Sequence, residues 1–349
     1  MKILFVSPHP GFGGASTANR AMAEMMAAKG HEVVYMDEYA EGDMDDCKFL
    51  YSDFPIHKYA KRERKKTTKY FETNSFDIIF IGVPIIGFYY WHLLRKLRNK
   101  GVKICYVFHS LSLSNGLSGK VDELFQSLAL YNATDLLFVS QFTLDSWSKY
   151  AAVRKLKDRS HIIYNAIQEQ NITNKIIGEK YSVSFVGRLS NEKDPTLFCK
   201  VARESVINSL PFSFNMYGDG PLMEILKKEF SGYVTFHGFE RNGKKIYANT
   251  DILLMTSQFE NCPMAILESS AHGIPCVAPK VGGIPEIVKS GFNGLLFTNR
   301  DSEDILQCLN EIQIYYSSFS ENSYSESKKY KYDVISTEWE KTLQKIKNG

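Results

Sequence analysis

Two glutamates, Glu260 and Glu268, are separated by seven residues in the segment FENCPMAILESSAHG at 259–273. The first follows a predicted buried strand, and the second lies in a helix that Pro263 can open and Gly273 can end. The first N–H groups of such a helix lack helical partners, and its dipole favours negative charge there. One carboxylate then lies at the turn and the other about two turns into the helix. Carboxylates in these positions are suited to binding hydroxyl groups at two places on one ligand. The segment therefore predicts a binding site for an anionic ligand that carries hydroxyl groups.

A pair of cations follows another predicted strand, at 182–186. Gly187 allows a tight turn directly after this strand, and Arg188 and Lys193 then place two positive charges at its carboxyl end. Arginine can contact two phosphate oxygens at once, and lysine adds a compact charge. The spacing indicates a phosphate site, and a solvated loop of mixed charge is the alternative.

Three weaker features could approach the same ligand. The loop at 8–15 contains Gly13 and Gly14, whose backbone amides can come close to a ligand, although a flexible turn explains these glycines nearly as well. The turn YGDGP contains Gly218 and could line the same site. The alternative interpretation is that this turn has only a structural role. His109 follows a predicted strand, where a lone histidine is usually structural.

Short apolar runs alternate with helical patterns along the chain, which predicts parallel sheets covered by helices on both faces. Strands are predicted at 3–6, 32–35, 76–82, 103–108, 136–139 and 161–164, and again at 182–186, 212–217, 233–236, 251–255, 275–278 and 294–297. A polar stretch at 165–180 separates the two series, and a chain of 349 residues favours two domains. We therefore expect two doubly wound units that bind ligands at the carboxyl ends of their strands.

The C-terminal region contains two further predicted features. The Ser-, Tyr- and Lys-rich stretch at 315–332 has weak periodicity, which predicts a loop or a loosely packed surface. A last helix is predicted from about Val334, because apolar residues then recur near helical spacing.

Composition and charge exclude several classes of protein. The formal net charge of +3 is too small to indicate nucleic-acid binding, and the six cysteines show neither CxxC pairing nor metal-ligand spacing. Asp43 and Asp45 form a DxD pattern that some metal sites use, but the acidic loop around them favours a solvated turn. The N-terminal apolar run is too short for a signal peptide, and the stretch at 76–91 is interrupted too often to span a membrane. We expect a cytoplasmic protein without a metal site.

Two basic segments predict contact with an anionic membrane surface. The first runs from Lys58 to Lys69 and holds seven lysines and arginines against one glutamate. The second runs from Tyr89 to Lys100 and combines aromatic residues with four lysines and arginines. Aromatic rings beside cations suit the interface of an anionic membrane. A solvated face with aromatic residues turned to the core is the alternative.

Five motifs together resemble the family-4 retaining glycosyltransferases of the GT-B fold. They are GRLSNEKD at 187–194, YGDGPL at 217–222, FHGF at 236–239, FENCPMAILESSAHGIPCVAPKVGGIPEIV at 259–288 and NGLLF at 293–297. The resemblance runs nearly the full length of the chain. It implies an α/β protein with two Rossmann-like doubly wound domains facing a cleft. Residues 1–165 would bind the acceptor and 166–332 the nucleotide-sugar donor, while a C-terminal helix at 333–349 would cross back to the first domain.

The resemblance also implies a role for each candidate residue. Arg188 and Lys193 would grip the diphosphate of the donor and stabilise the leaving group. Glu260 would hold hydroxyls of the donor sugar, Glu268 would bind those of the ribose, and His109 would lie beside the sugar. The other donor contacts would come from Gly13, Gly14, Gly187, Gly218, Asn261, Cys262, Pro263, Met264 and Ala265.

The implied reaction is sugar transfer, with retention, from a nucleotide-diphosphate sugar to a glycan or lipid-linked acceptor in surface polysaccharide or glycolipid biosynthesis. The two cations would take the place of a divalent ion, so neither a metal nor a cofactor is expected. The diphosphate oxygen would act as the base for the acceptor hydroxyl. The donor nucleotide, the sugar, the acceptor and the oligomeric state stay open.

Two other functions remain as alternatives, and one departure from the family pattern bears on the donor. An epimerase or phosphorylase of the same fold would need its own acid–base pair or a cofactor lysine, and the sequence signals neither. A catalytically silent binding subunit would keep the fold to hold a glycan or a partner. Asn261 and Cys262 stand where many relatives carry Gly-Phe, so their side chains are expected to crowd the place where the backbone meets the sugar.

Overall fold

The structure is a computed structural model that describes residues 1–7, 14–37, 56–58, 64–82, 84–110, 119–170 and 178–349. The chain forms two compact units. Unit 1 comprises Met1–Ala166 and Tyr332–Gly349, and unit 2 comprises Ile167–Lys331. These bounds lie one residue from the domain bounds expected from the sequence.

Unit 1 is built on a parallel sheet. Its strands are β1 (Lys2–Ser7), β2 (Glu32–Asp37), β3 (Ile56–Lys58), β4 (Ile78–Ile81), β5 (Lys103–Phe108), β6 (Asp135–Phe138) and β7 (Ser160–Ile162). They lie in the order β3-β2-β1-β4-β5-β6-β7. The strand order reverses between β1 and β4, as in a doubly wound fold. The short strand β3 was not predicted, because its three residues carry no distinctive apolar pattern.

Helices cover the sheet of unit 1. In chain order they are α1 (Gly14–Ala28), α2 (Arg64–Thr73), α3 (Pro84–Tyr89), α4 (Trp91–Asn99), α5 (Gly119–Ala129), α6 (Gln141–Trp147) and α7 (Ala151–Lys155). Alternate residues of β4 enter cores on opposite faces of the sheet, with Ile79 on one side and Ile78 on the other. This double burial explains why the strands are continuous apolar runs.

Unit 2 contains a second parallel sheet. Its strands are β8 (Tyr181–Val186), β9 (Phe212–Tyr217), β10 (Val234–Gly238), β11 (Ile252–Leu254), β12 (Cys276–Pro279) and β13 (Gly294–Phe297). They lie in the order β10-β9-β8-β11-β12-β13. The strand order reverses between β8 and β11, and ligands of such sheets bind at the carboxyl ends of the strands beside this point.

The helices of unit 2 follow its strands. They are α8 (Pro195–Ile207), α9 (Met223–Phe230), α10 (Gly243–Ala248), α11 (Met264–Ala271), α12 (Ile284–Ile287), α13 (Ser302–Ile314) and α14 (Tyr316–Ser327). The last helix, α15 (Tyr332–Asn348), belongs to unit 1. Its Ile335, Trp339 and Leu343 are buried in the core of unit 1, and the Trp339 ring lies edge-on to Phe80 with 5.8 Å between centroids. The predicted return of the C-terminal helix is therefore confirmed.

The prediction of a loop or loosely packed surface at 315–332 was wrong. Most of this stretch forms α14, which packs against α11. Ser320 and Ser323 lie at this contact, where their hydroxyls donate to the carbonyl oxygens of Gly273 (2.6 Å) and Ile274 (3.1 Å). The apolar periodicity is weak because Ser323 and Ser327 join Phe319 on the buried face, so that serines stand where large apolar residues would repeat. Small side chains allow the two helices to approach closely.

Replacing Ser323 by leucine should destabilise unit 2. The Ser323 side chain is fully buried (0% exposed), so a leucine would overpack the contact between α11 and α14 and would also remove a hydrogen bond. We expect a loss of about 1–3 kcal/mol in the free energy of unfolding, measured by urea denaturation. The control is Ser325→Leu on the exposed face of the same helix, expected to stay within about 0.5 kcal/mol of wild type. Equal losses in both variants would contradict the packing described here.

Candidate functional site

Hydrogen bonds join the ends of β8, β9 and β10 at the point where the motif GRLSNEKD begins. The N–H of Gly187 donates to the carbonyl oxygen of Tyr217 at 3.0 Å, and the N–H of Gly218 donates to that of Gly238 at 2.8 Å. Gly218 has φ of +138°, and a Cβ atom there would lie 1.8 Å from the carbonyl oxygen of Gly187. Only glycine therefore fits at 218. These contacts fix the backbone from which Arg188 projects.

The motif after β8 contains one unpaired cation and one paired cation. The guanidinium of Arg188 is exposed and has no hydrogen bond or ion pair within the described part of the chain. Lys193 ends the 3-10 helix Asn191–Lys193, and its Nζ lies 2.6 Å from Oε1 of Glu260. Between them, the Ser190 hydroxyl is buried and has no hydrogen-bond partner among the described residues. A ligand at this loop would meet one free charge and one unsatisfied hydroxyl.

Glu260 is held by groups from two strand ends. Its Oε1 accepts from Lys193 after β8 and, at 2.7 Å, from the hydroxyl of Ser257 after β11. Its carbonyl oxygen accepts from the N–H of Gly283 at 3.0 Å, and a Cβ at Gly282 would lie 1.9 Å from that same oxygen. Both side-chain contacts use Oε1. The arrangement leaves Oε2 of Glu260 without a partner among the described residues and therefore available to a ligand hydroxyl.

The helix after Glu260 begins without a side-chain cap. Pro263 is the N-cap residue of α11, and no side chain hydrogen-bonds to the cap, so the amides of Met264 and Ala265 begin the helix. Asn261 is partly exposed, whereas the side chain of Cys262 is only 6% exposed. The expectation that both side chains crowd the ligand position is therefore wrong for Cys262, which packs inside unit 2.

Glu268 lies on α11 in a partly buried position. It is the fifth residue of this helix, little more than one turn from its start rather than the two turns expected. The hydroxyl of Tyr247 donates to its Oε2 at 2.8 Å, and His272 stacks on the Tyr247 ring with 4.9 Å between centroids. Burial raises the pKa of the Glu268 carboxyl, and the bond from Tyr247 partly offsets that rise. Tyr247 carried no signal in the sequence, because it lies in a separate helix, α10.

Unit 1 contains the remaining candidates. Gly14 is the first residue of α1, and Gly13 lies outside the described residues. His109 follows β5, and its Nε2 lies 2.8 Å from Oδ1 of Asn19 on α1. Burial lowers the pKa of His109 to about 4, so its imidazole is uncharged at neutral pH. It can therefore form hydrogen bonds but supplies no positive charge.

Within the described residues, no group of three or more His, Cys, Asp or Glu side chains could hold a metal ion. The DxD pattern of Asp43 and Asp45 lies outside those residues.

Replacing Gly218 by alanine should destabilise unit 2 strongly. The new Cβ would overlap the carbonyl oxygen of Gly187, and the residue would keep a backbone conformation that L-residues rarely adopt. We expect a loss of roughly 3 kcal/mol from overlap and backbone strain together, measured by urea denaturation. Gly238→Ala is the control, because Gly238 also has positive φ (+71°) but nothing lies within 4 Å of its Cβ position. If the two variants lost equal stability, the close approach of the two strand ends would be unimportant.

Two protein-family models match this chain, one in each half. The family described as glycosyl transferases group 1 matches residues 180–313, and glycosyltransferase family 4 matches residues 12–171. An uncharacterised 41.2 kDa protein from the cps region of Klebsiella pneumoniae is 23% identical over 267 residues, which is 72% of each chain. An Escherichia coli UDP-Gal:α-D-GlcNAc-diphosphoundecaprenol α-1,3-galactosyltransferase is 30% identical over 155 residues, 41% of this chain and 40% of that enzyme.

Solved structures share the whole fold. The crystal structure of Anabaena HepE in complex with UDP and glucose superimposes with a TM-score of 0.79 over 99% of both chains, at 19% sequence identity. The two sheets described above match the two Rossmann-like domains of the GT-B fold. Both halves of the sequence match family models of one enzyme class, and the chain is a glycosyltransferase.

Proposed function

We propose that this glycosyltransferase takes its sugar from a UDP-linked donor, whose diphosphate binds in unit 2 at the carboxyl ends of β8 and β11. The observation that carries the proposal is the grouping of cationic and backbone donors at these two strand ends. Arg188 and Lys193 come from the loop after β8, and the uncapped start of α11 follows the loop after β11. Two similar proteins support UDP as the nucleotide of the donor. The Escherichia coli galactosyltransferase uses UDP-Gal, and HepE was crystallised with UDP and glucose.

The chemistry follows from where negative charge develops. When the sugar–phosphate bond breaks, the diphosphate gains negative charge, and fixed positive groups lower the energy of that state. Arg188 is unpaired and can meet phosphate oxygens directly, and the buried Ser190 hydroxyl can donate to one of them. Lys193 stays on Glu260 and adds charge at a fixed position. These two cations do what a divalent ion does in other transferases, so we propose a reaction without a resident metal.

The carboxylates bind rather than attack in this proposal. Oε2 of Glu260 would accept from a hydroxyl of the donor sugar, because Oε1 is already engaged by Lys193 and Ser257. Glu268, oriented by Tyr247, would accept from the ribose hydroxyls. With both carboxylates engaged in binding, we propose that a diphosphate oxygen takes the proton of the acceptor hydroxyl. The acceptor would then attack from the leaving-group side, and the anomeric configuration would be retained.

The acceptor is proposed to be a glycan or a lipid-linked sugar of a surface polysaccharide or glycolipid. One relative lies in a cps region, and another acts on a diphosphoundecaprenol-linked sugar. A catalytically silent binding subunit is the competing function, and no observation favours it.

Ligand-dependent melting tests the donor site. UDP at one hundred times its dissociation constant should add about 2.7 kcal/mol to the free energy of unfolding. GDP, ADP and CMP should shift the melting temperature less, and EDTA should leave the UDP shift unchanged. Arg188→Ala should reduce the shift and lower kcat by about 10²–10³-fold, the usual effect of losing one group that stabilises developing charge. Lys193→Ala should act in the same direction.

Lys200→Ala, an exposed lysine on α8, is the matched control and should behave as wild type. NMR of the product would show whether its anomeric configuration matches that of the donor. Nucleotide binding without transfer to any glycan or lipid-linked acceptor would favour the silent subunit. Full activity in Arg188→Ala would refute the assigned role.

We also propose that unit 1 rests on an anionic membrane surface through α4 and α5. In the described residues, no helix has both the length and the apolar character needed to cross a bilayer. One side of α4 buries Leu93, Leu94 and Leu97, while its other side exposes basic residues, which are Arg95, Lys96, Arg98 and Lys100. The first predicted basic segment lies partly outside the described residues, because they omit 59–63.

A stripe of exposed apolar residues lies on α5. Val121, Leu124 and Leu128 recur along one side of α5, and all three are exposed. Trp91 of α4 lies against Tyr131, two residues after the end of α5, with 5.4 Å between ring centroids, and the Arg95 guanidinium lies over the Trp91 ring. Large apolar residues next to cations match the boundary between lipid headgroups and acyl chains. Charge complementarity therefore favours an anionic bilayer as the partner of this surface.

Co-sedimentation with vesicles tests the membrane contact. Vesicles of phosphatidylglycerol should bind the protein, neutral phosphatidylcholine vesicles should not, and added salt should weaken binding. Lys96→Gln should cost about 1 kcal/mol of binding free energy, as expected for one cation near an anionic surface. Leu124→Glu should abolish binding, whereas Ile225→Glu on unit 2 is the control, since the two side chains are similarly exposed, at 61% and 63%. Equal binding to both lipids would refute the proposal.

A further inference from the structure

Arg300 joins three segments of unit 2 through hydrogen bonds. It lies in the loop after β13, and its Nη1 donates to the carbonyl oxygen of Ser257 at 3.1 Å. Its Nη2 donates to the carbonyl oxygen of Thr256 at 2.5 Å and to Oδ2 of Asp194 at 2.8 Å. A guanidinium is a planar fork with five donors, so it can hold several acceptors in one fixed arrangement. Here the acceptors come from the loops after β8 and β11.

On the β8 side, Arg300 holds the residue next to Lys193. Asp194 is the N-cap of α8 and has φ of +44° and ψ of +56°, a left-handed conformation that residues other than glycine rarely adopt. Its Oδ1 caps the N–H of Leu197 at 3.2 Å, while its Oδ2 accepts from Arg300. The Thr256 hydroxyl also lies within reach of the carbonyl oxygens of Lys193 (3.2 Å) and Asp194 (2.8 Å). The backbone that carries Lys193 is therefore held against the loop after β11.

On the β11 side, Arg300 holds the residue that orients Glu260. The carbonyl oxygen of Ser257 accepts from Arg300, and the hydroxyl of the same serine donates to Oε1 of Glu260 at 2.7 Å. This is the oxygen that Lys193 also contacts. Both members of the Lys193–Glu260 pair are thus attached to backbone that Arg300 fixes. The charges balance as well, because Arg300 offsets Asp194 while Lys193 offsets Glu260.

We propose that Arg300 is a positioning residue for sugar transfer, holding Lys193 and Glu260 at the separation and orientation that the reaction needs. This inference rests on the proposed role of that pair at the donor diphosphate and sugar. Arg300 acts through Asp194, Thr256 and Ser257 rather than by taking part in bond breaking. The sequence before it, NGLLF, belongs to the recognised motifs, but Arg300 itself lies outside all of them.

Two substitutions test this role. Arg300→Met removes every donor while keeping an unbranched side chain, and Arg300→Lys keeps the charge but loses the planar fork. We expect Arg300→Met to lower kcat by about 10²-fold, the size of effect produced by a misplacement near 1 Å. The KM for the UDP-sugar should change little, since Arg188 is untouched. Arg300→Lys should restore only part of kcat, because one ammonium cannot hold the same acceptors in the same geometry.

Arg203→Met is the control, since Arg203 is an arginine of unit 2 that lies over the Phe230 ring, away from these loops. It should leave kcat unchanged. Urea denaturation of all variants would separate loss of folded protein from loss of turnover. A wild-type kcat in folded Arg300→Met would overturn the proposal, because a purely structural role would lower stability alone.

A crystal structure of Arg300→Met gives a result that does not depend on the reaction. We expect the contact between Lys193 Nζ and Glu260 Oε1, 2.6 Å in the wild-type chain, to lengthen or break. An unchanged contact would refute the positioning role even if kcat fell. If the wild-type protein neither binds UDP nor transfers a sugar, the proposed function fails, and this distance still decides whether Arg300 positions the pair.

Discussion

The parallel pairing of β8 with β11 is the constraint on which the candidate site depends. The register places Ile252 beside Val183, and Asp251 fastens the start of the pair by accepting the N–H of Ser182 at 2.8 Å. Both strands then end at the same edge of the sheet. The loop after β8 carries the cations, and the loop after β11 leads to Glu260. Residues 67 positions apart in sequence, Lys193 and Glu260, are in contact for this reason.

Both the pairing of charges and the close approach of the backbone shape the site at this edge of the sheet. Lys193 and Glu260 neutralise one another, whereas Arg188 remains exposed and unpaired within the described residues. An arrangement of this kind costs little free energy, because among these three charges in the described residues only Arg188 lacks a partner, and its guanidinium is exposed to water. Glycines at 218 and 282 allow neighbouring loops to approach within a distance that any side chain would prevent. The site is therefore rigid at its backbone and keeps charge and one carboxylate oxygen available for a ligand.

The two units differ in how their candidate residues are held. In unit 2, Lys193, Glu260 and Arg300 belong to one network of hydrogen bonds across several strand ends. In unit 1, His109 contacts Asn19 of α1, and burial keeps the imidazole neutral. The outer surface of unit 1 contains the basic face of α4 and the apolar stripe of α5, which lie far along the chain from the residues of the donor site. The proposed donor chemistry on unit 2 and the proposed membrane contact of unit 1 both fit the proposed transfer to a lipid-linked acceptor.

The sequence by itself determined the architecture and most of the candidate site. Apolar runs fixed the strands because both sheets are buried on both faces, and Pro263 and Gly273 marked the ends of α11 because each residue suits one end of a helix. The tertiary structure decided what local patterns do not encode. The helix α14 was missed because two of its buried residues, Ser323 and Ser327, are serines, and the inward packing of Cys262 depends on the surrounding core. Arg300 and Tyr247 carry no motif, because their importance comes from the distant segments that the sheet brings beside them.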